Sequence, residues 1–181
     1  MPAIKPAAER SASGLISVLA TPGTIRRPIV QELIKTHAVS NNVDVTLVGA
    51  TRLARMAEEH MQGNKIDSGS LLEEINECFV DEDGKRTDIV ALGCTHYPFL
   101  VNEMRKLAPW PVDWLDPAEA VSRQAAREIE RCFGDVNSTS ELSQHDPDLA
   151  YMTSRCPSAA TARLLKSAGL QLAEMEFPSL I

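Results

Sequence analysis

Aromatic side chains are scarce in this sequence, at 4% of 181 residues, and nowhere do Lys and Arg gather into a basic stripe. With a net charge of −7 as well, the chain lacks the electrostatic footprint of a nucleic-acid or polyanion binder. It has no apolar run near the roughly 20 residues that span a bilayer. Its N-terminus has no charged-then-apolar signal peptide. A cytoplasmic protein is expected, with neither a nucleic-acid nor a membrane partner. The four cysteines, Cys78, Cys94, Cys132 and Cys156, form no Cys-x-x-Cys pair, which argues against a zinc ribbon and a disulfide framework. No metal site is expected.

Short apolar runs alternate with helical periodicity. Met1 to Ser13 reads as a helix, Gly14 to Ala20 as a buried strand, and Thr21-Pro22-Gly23-Thr24 as a helix start with Thr21 as cap. That helix would run through Ile29, Leu33 and Ile34, with Pro28 kinking it or delaying its start. Asn41-Asn42 is a turn, Val43 to Val48 a strand, Gly49 to Gly63 a helix and Ser68 to Phe79 another. Asp81 to Arg86 reads as a solvated turn before the strand Ile89 to Leu92. A short strand at Val112 to Leu115 and a helix from Ala118 to Phe133 follow. Gly134 to Pro147 reads as an exposed loop, Leu149 to Thr153 as a strand, Pro157 to Ala168 as a helix ended by Gly169, and Leu170 to Phe177 as a marginal strand. The alternation predicts an α/β fold with parallel strands and right-handed crossovers.

Asp88-Ile-Val-Ala-Leu-Gly-Cys-Thr-His-Tyr-Pro98 is the stretch with most chemistry. A continuous apolar strand stops in a glycine, a thiol, a hydroxyl and an imidazole, at the carboxyl end where open α/β sheets bind ligands. Tyr97-Pro98 opens a helical pattern, so Cys94 would lie near a helix N-terminus, a setting that favours thiolate. Cys94 is also the kind of residue that merely fills a core. His96, two residues on, adds a base and proton shuttle, too few ligands for a structural zinc site. Thr95 either caps the next helix or donates its hydroxyl to a substrate carboxylate. Thr21 and Thr24 pose the same choice, and the amides beside Gly23 can bind an anion. Glu58 and Glu59 read as solvated surface charges. Cys78, Cys132 and Cys156 read as packing residues, and His37, His60 and His145 form no constellation.

Leu92-Gly-Cys-Thr-His-Tyr-Pro98 resembles the signature around the second catalytic cysteine of glutamate racemases, in the aspartate/glutamate racemase superfamily. Val18-Leu-Ala-Thr-Pro-Gly-Thr24 resembles that family's Leu-Ala-Thr-x-Gly-Thr segment, and Pro2-Ala-Ile-Lys-Pro-Ala7 what precedes it. Ala57-Glu58 falls where the family carries an acidic residue. The resemblance implies a cofactor-independent, two-base inversion at the α-carbon of L- or D-glutamate, supplying D-glutamate for peptidoglycan. Cys94 would act on the L-enantiomer, His96 and Glu58 would assist proton movement, and Thr95, His96, Thr21 and Thr24 would contact substrate.

The sequence departs from the family in one respect. It has no opening strand ending in Asp-Ser-Gly, no Pro-Tyr-Gly turn and no Cys-Asn-Thr segment with the first catalytic cysteine. The resemblance therefore implies the C-terminal portion of a racemase. Residues 1–115 would be the second α/β lobe of a two-lobed fold, and 116–181 the incomplete C-terminal part of the first. An isolated chain of this kind is expected to be inactive as a racemase, and to form a homo-oligomer or associate with the half it lacks. A non-catalytic amino-acid-binding or interaction protein, or an aspartate-type racemase, are the alternative readings.

Overall fold

A computed structural model describes residues 3–134, 148–152 and 157–173. Four strands form one parallel sheet: β1 (Leu15–Ala20), β2 (Asp44–Gly49), β5 (Ile89–Leu92) and β6 (Asp113–Leu115), in the order β2-β1-β5-β6. β1 and β5 are buried along their whole length, as continuous apolar strands covered on both faces must be. The register sets Leu19 beside Val48 on one side and Leu92 on the other.

Two helical layers provide the cover. One contains α1 (Ile4–Arg10) and α3 (Pro28–Leu33), and buries Ile4, Ala7 and Val30 against Ile16, Val18 and Ala91. The other contains α4 (Leu53–Met61), α5 (Ser68–Ile75) and α6 (Val101–Leu107), and buries Leu53, Ala57, Leu71, Ile75 and Met104 against Leu19, Val90 and Leu92. The step from β1 to β2 runs through the first layer and the return from β2 to β5 through the second. Opposite directions need opposite faces when every crossover is right-handed.

Several boundaries differ from the sequence reading for local reasons. The helix expected from Pro22 through Ile34 is broken: α2 (Pro22–Ile25) stops, and α3 restarts with Pro28 in its first turn, where the missing N–H costs nothing. Its end unwinds into a π-helical turn at Ile34–Ala38 before Asn42 turns the chain at φ 54. α4 is shorter than Gly49 to Gly63, because residues 50–52 form the loop at the end of β2. α5 ends in a 3-10 turn at Asn76–Cys78. Asp81 to Arg86 is an antiparallel hairpin, β3 (Asp81–Glu82) and β4 (Lys85–Arg86), turned by Asp83 and Gly84 at positive φ. The triplet Asp67-Ser68-Gly69 follows no strand: Asp67 caps α5 by accepting the Ser70 N–H at 2.8 Å.

Beyond β6 the architecture changes. α7 (Ala118–Phe133) has the expected bounds but buries no residue. β7 (Leu149–Ala150) and β8 (Gln171–Leu172) form a separate two-stranded parallel sheet, joined through α8 (Ala159–Ser167), which Ser158 caps and Gly169 ends at φ 81. Residues 135–147 of the expected loop, Thr153, Cys156 and residues 174–177 of the expected last strand lie outside the described residues.

Candidate active site

The sheet order reverses at β1 and β5: β2 lies on one side of β1, while β5 and then β6 lie on the other. Such a switch point opens a crevice at the carboxyl ends of the strands. The Gly93 N–H extends the ladder by donating to the Leu19 carbonyl at 2.8 Å. The segments 21–24 and 94–96 therefore leave the sheet side by side.

After Gly93 the chain turns tightly, with the Tyr97 N–H donating to the Cys94 carbonyl at 3.2 Å. The turn leads into a 3-10 helix at Tyr97–Leu100 and only then into α6. The helix start expected just after Cys94 is thus a 3-10 turn with His96 at the cap position but no side-chain cap, and Thr95 caps nothing: its side chain is exposed. Within the turn Cys94 Sγ lies 3.6 Å from His96 Nδ1. The other ring nitrogen, Nε2, lies 2.6 Å from Oε1 of Glu58 on α4. A carboxylate only accepts, so Nε2 carries the hydrogen and Nδ1 is left to accept from the thiol. Thiol, imidazole and carboxylate lie within contact distance of one another in one line, with Cys94 and His96 half-buried.

Across the switch point, Thr21 Oγ1 and Thr24 Oγ1 are 2.9 Å apart. Thr21 occupies the cap position of α2 without capping through its side chain; its carbonyl instead accepts the Thr24 and Ile25 N–H groups. The Thr24 amide is therefore engaged within the turn. What the turn offers there is a pair of mutually hydrogen-bonded hydroxyls.

Tyr97, fully buried, anchors the turn from below, and its hydroxyl meets no partner among the described residues. Burial pushes the phenol well above its ordinary range, with Cys94, Glu74 and Cys78 adding to the effect, so it stays protonated. Cys78 is sealed in the core beside α5. Desolvation, helped by Glu77, pushes its thiol up to about 12, which removes it as a base. Cys132 is exposed on α7, and Cys156 lies outside the described residues. Among the described residues no group of three His, Cys, Asp or Glu side chains is placed to hold a metal ion. No described helix is long and apolar enough to cross a membrane.

Glu58 was legible as a site residue only through the family resemblance; its helical position beside buried Ala57 reads as surface. Glu74 was missed, although Leu71, Glu74, Ile75 and Cys78 share one helical face and place a carboxylate among buried residues. Its oxygens accept the Arg52 N–H at 3.0 Å and Arg52 Nε at 2.8 Å, with the Thr51 hydroxyl at 3.4 Å. Desolvation pushes Glu74 up, but the Arg52 guanidinium and amide outweigh it and hold the carboxyl below its usual range.

No family model matches the chain. The glutamate racemase of Brucella anthropi is 53% identical over 173 residues, which cover 96% of this chain and 60% of that protein. That of Brucella canis is 52% identical over 171 residues, 94% of this chain and 59% of the relative. Among solved structures, the Escherichia coli glutamate racemase in complex with L-glutamate and the activator UDP-MurNAc-ala superposes with a TM-score of 0.76 at 27% identity, over 94% of this chain and 61% of that one. A glutamate racemase isoform of Bacillus anthracis, 18% identical, shares the fold with a TM-score of 0.67. Along nearly its whole length the chain is similar to glutamate racemases, and it spans about three fifths of theirs.

Proposed function

We propose that this chain carries the L-specific half of a cofactor-independent glutamate racemase site. The observation that supports the reading best is the line Cys94 Sγ to His96 Nδ1 at 3.6 Å and His96 Nε2 to Glu58 Oε1 at 2.6 Å, set at the carboxyl ends of switch-point strands. His96 takes the thiol proton on Nδ1 and Glu58 stabilises the resulting imidazolium. The Cys94 thiolate then removes the α-proton of L-glutamate. In a complete two-base site a second acid would reprotonate the carbanion from the opposite face, giving D-glutamate; with Cys94 alone the thiol returns a solvent-exchanged proton to the same face, giving back L-glutamate with no net gain or loss of atoms. The α-hydrogen is very weakly acidic, so the carbanion needs converging hydrogen bonds, for which Thr21, Thr24 and Thr95 supply hydroxyls.

The family's other base, its first catalytic cysteine, sits in a Cys-Asn-Thr segment that has no counterpart in this sequence. Residues 1–115, which contain the whole four-stranded sheet, form the second lobe in this reading; 116–181, with their own small sheet, belong to the first. The half-site would serve peptidoglycan synthesis in the cytoplasm, with L- and D-glutamate as ligands. A non-catalytic amino-acid-binding role is favoured only by the missing second thiol.

Proton NMR of L-glutamate in deuterium oxide tests the reading. The chain is expected to wash out the α-hydrogen of L-glutamate without accumulating D-glutamate, and Cys94→Ala to slow this by about 100-fold or more. Exchange at the buffer rate, or exchange unchanged in Cys94→Ala, would remove the assignment.

A further inference from the structure

We infer that Glu74 and Arg52 are positioning residues: the Glu74 carboxylate clamps the start of α4 and so aims Glu58 at His96. This rests on the reading of Cys94, His96 and Glu58 as a proton line and goes beyond it, because neither clamp residue touches that line.

α4 has no side-chain cap of its own, and its cap residue is Arg52. The capping group comes instead from another helix. Glu74, 9% exposed on α5, accepts the Arg52 N–H and the Arg52 guanidinium, with the Thr51 hydroxyl beside it. A carboxylate there also meets the positive end of the helix dipole. The second ion pair of Arg52, to Glu73, is exposed on both sides and adds little. Glu58 lies less than two turns along the same short helix, half-exposed, and its oxygen must stay within hydrogen-bonding range of Nε2. Leu53 and Ala57 bury one face of α4 and hold it against the sheet. Apolar contacts resist sliding along the helix axis poorly; hydrogen bonds at the helix start fix that coordinate.

The consequence is read at Cys94. Its alkylation requires the thiol to give up its proton, and the nearest acceptor is the His96 imidazole that Glu58 orients. Iodoacetamide labelling at pH 7, resolved peptide by peptide, is measured for wild type, Glu58→Gln, Glu74→Gln and the double variant. Buried Cys78 reports unfolding within each sample. Glu58→Gln and Glu74→Gln are each expected to slow Cys94 about 3- to 10-fold with Cys78 still protected. The double variant should be no slower than the slower single, since both act through one line. If Glu74→Gln leaves Cys94 at the wild-type rate while Glu58→Gln slows it, the clamp is wrong and the proton line stands. If Glu58→Gln itself has no effect, both fall. Should Glu74→Gln expose Cys78, Arg52→Met decides: a slower Cys94 supports the clamp, and a wild-type rate overturns it.

Discussion

Glu58 and His96 stand 38 residues apart in sequence and 2.6 Å apart in space, one on α4 and the other in the turn that ends β5. The pairing brings the two crossovers of one helical layer to a single imidazole.

That geometry orders the effects of substitution on α-proton exchange. In the proposed mechanism His96→Asn removes the immediate acceptor of the Cys94 proton and is expected to cost about 100-fold, within the range for a positioned general base. Glu58→Gln keeps an acceptor for Nε2–H and loses only the charge, so about 10-fold is expected. Exchange rates for L-glutamate by proton NMR check the order. An effect of Glu58→Gln larger than that of His96→Asn would contradict it.

Acid stability follows from Asp88, at the opposite end of β5. Desolvation raises its pKa, but the Ser13 N–H, the Ser11 hydroxyl at 2.8 Å and the Ala12 N–H outweigh that and hold it below the usual range. A carboxyl with a folded pKa below its unfolded value of about 3.9 contributes fully above that pH and loses the contribution as pH falls through the folded value. Glu74 has the same sign. Urea midpoints are therefore expected to drop from pH 5 to pH 2.5. Asp88→Asn should cost about 1–3 kcal/mol at pH 7 and flatten that dependence, because its lost charge no longer titrates.

Ser17 occupies a fully buried place in β1 and donates its hydroxyl hydrogen to the Cys78 carbonyl at 2.7 Å. It ties the central strand to the turn after α5. Ser17→Ala removes the donor and leaves a buried carbonyl, for an expected loss of about 1–3 kcal/mol. Chemical denaturation measures it; a change below a few tenths of a kcal/mol would mean the carbonyl finds another donor.

Much of this was legible residue by residue. β1 and β5 are apolar throughout because both faces are covered, so Leu15 to Ala20 and Ile89 to Leu92 stood out. Cys94 and His96 fell two residues apart just after such a strand, and the motif marked them. Glu58 and Glu74 did not stand out, since a carboxylate's partner lies on another element and single-sequence periodicity carries no tertiary distance. Pro28 signalled a break but not its side; the structure chose a restart, because proline fits a helix's first turn. The hairpin at Asp81 to Arg86 was hidden by its charges, although Asp-Gly between short flanks is a hairpin turn signal.

α7 carries the last expectation. Sixteen residues form a helix with no buried side chain, yet Val121, Ile129 and Phe133 are 49%, 46% and 82% exposed. Beside the α8 connection, the parallel pair β7 and β8 also leaves Leu149 and Leu172 exposed, with exposed Tyr151 just after β7, whereas parallel strands are ordinarily covered on both faces. An apolar stripe of this kind on the described residues promotes association. In light scattering, the chain is expected to self-associate as concentration rises. Val121→Glu with Phe133→Lys should shift it toward monomer without lowering the thermal midpoint, since neither side chain packs against the main sheet. A lowered midpoint would mean that these residues already have a partner within the chain, and a strictly monomeric wild type would contradict the expectation.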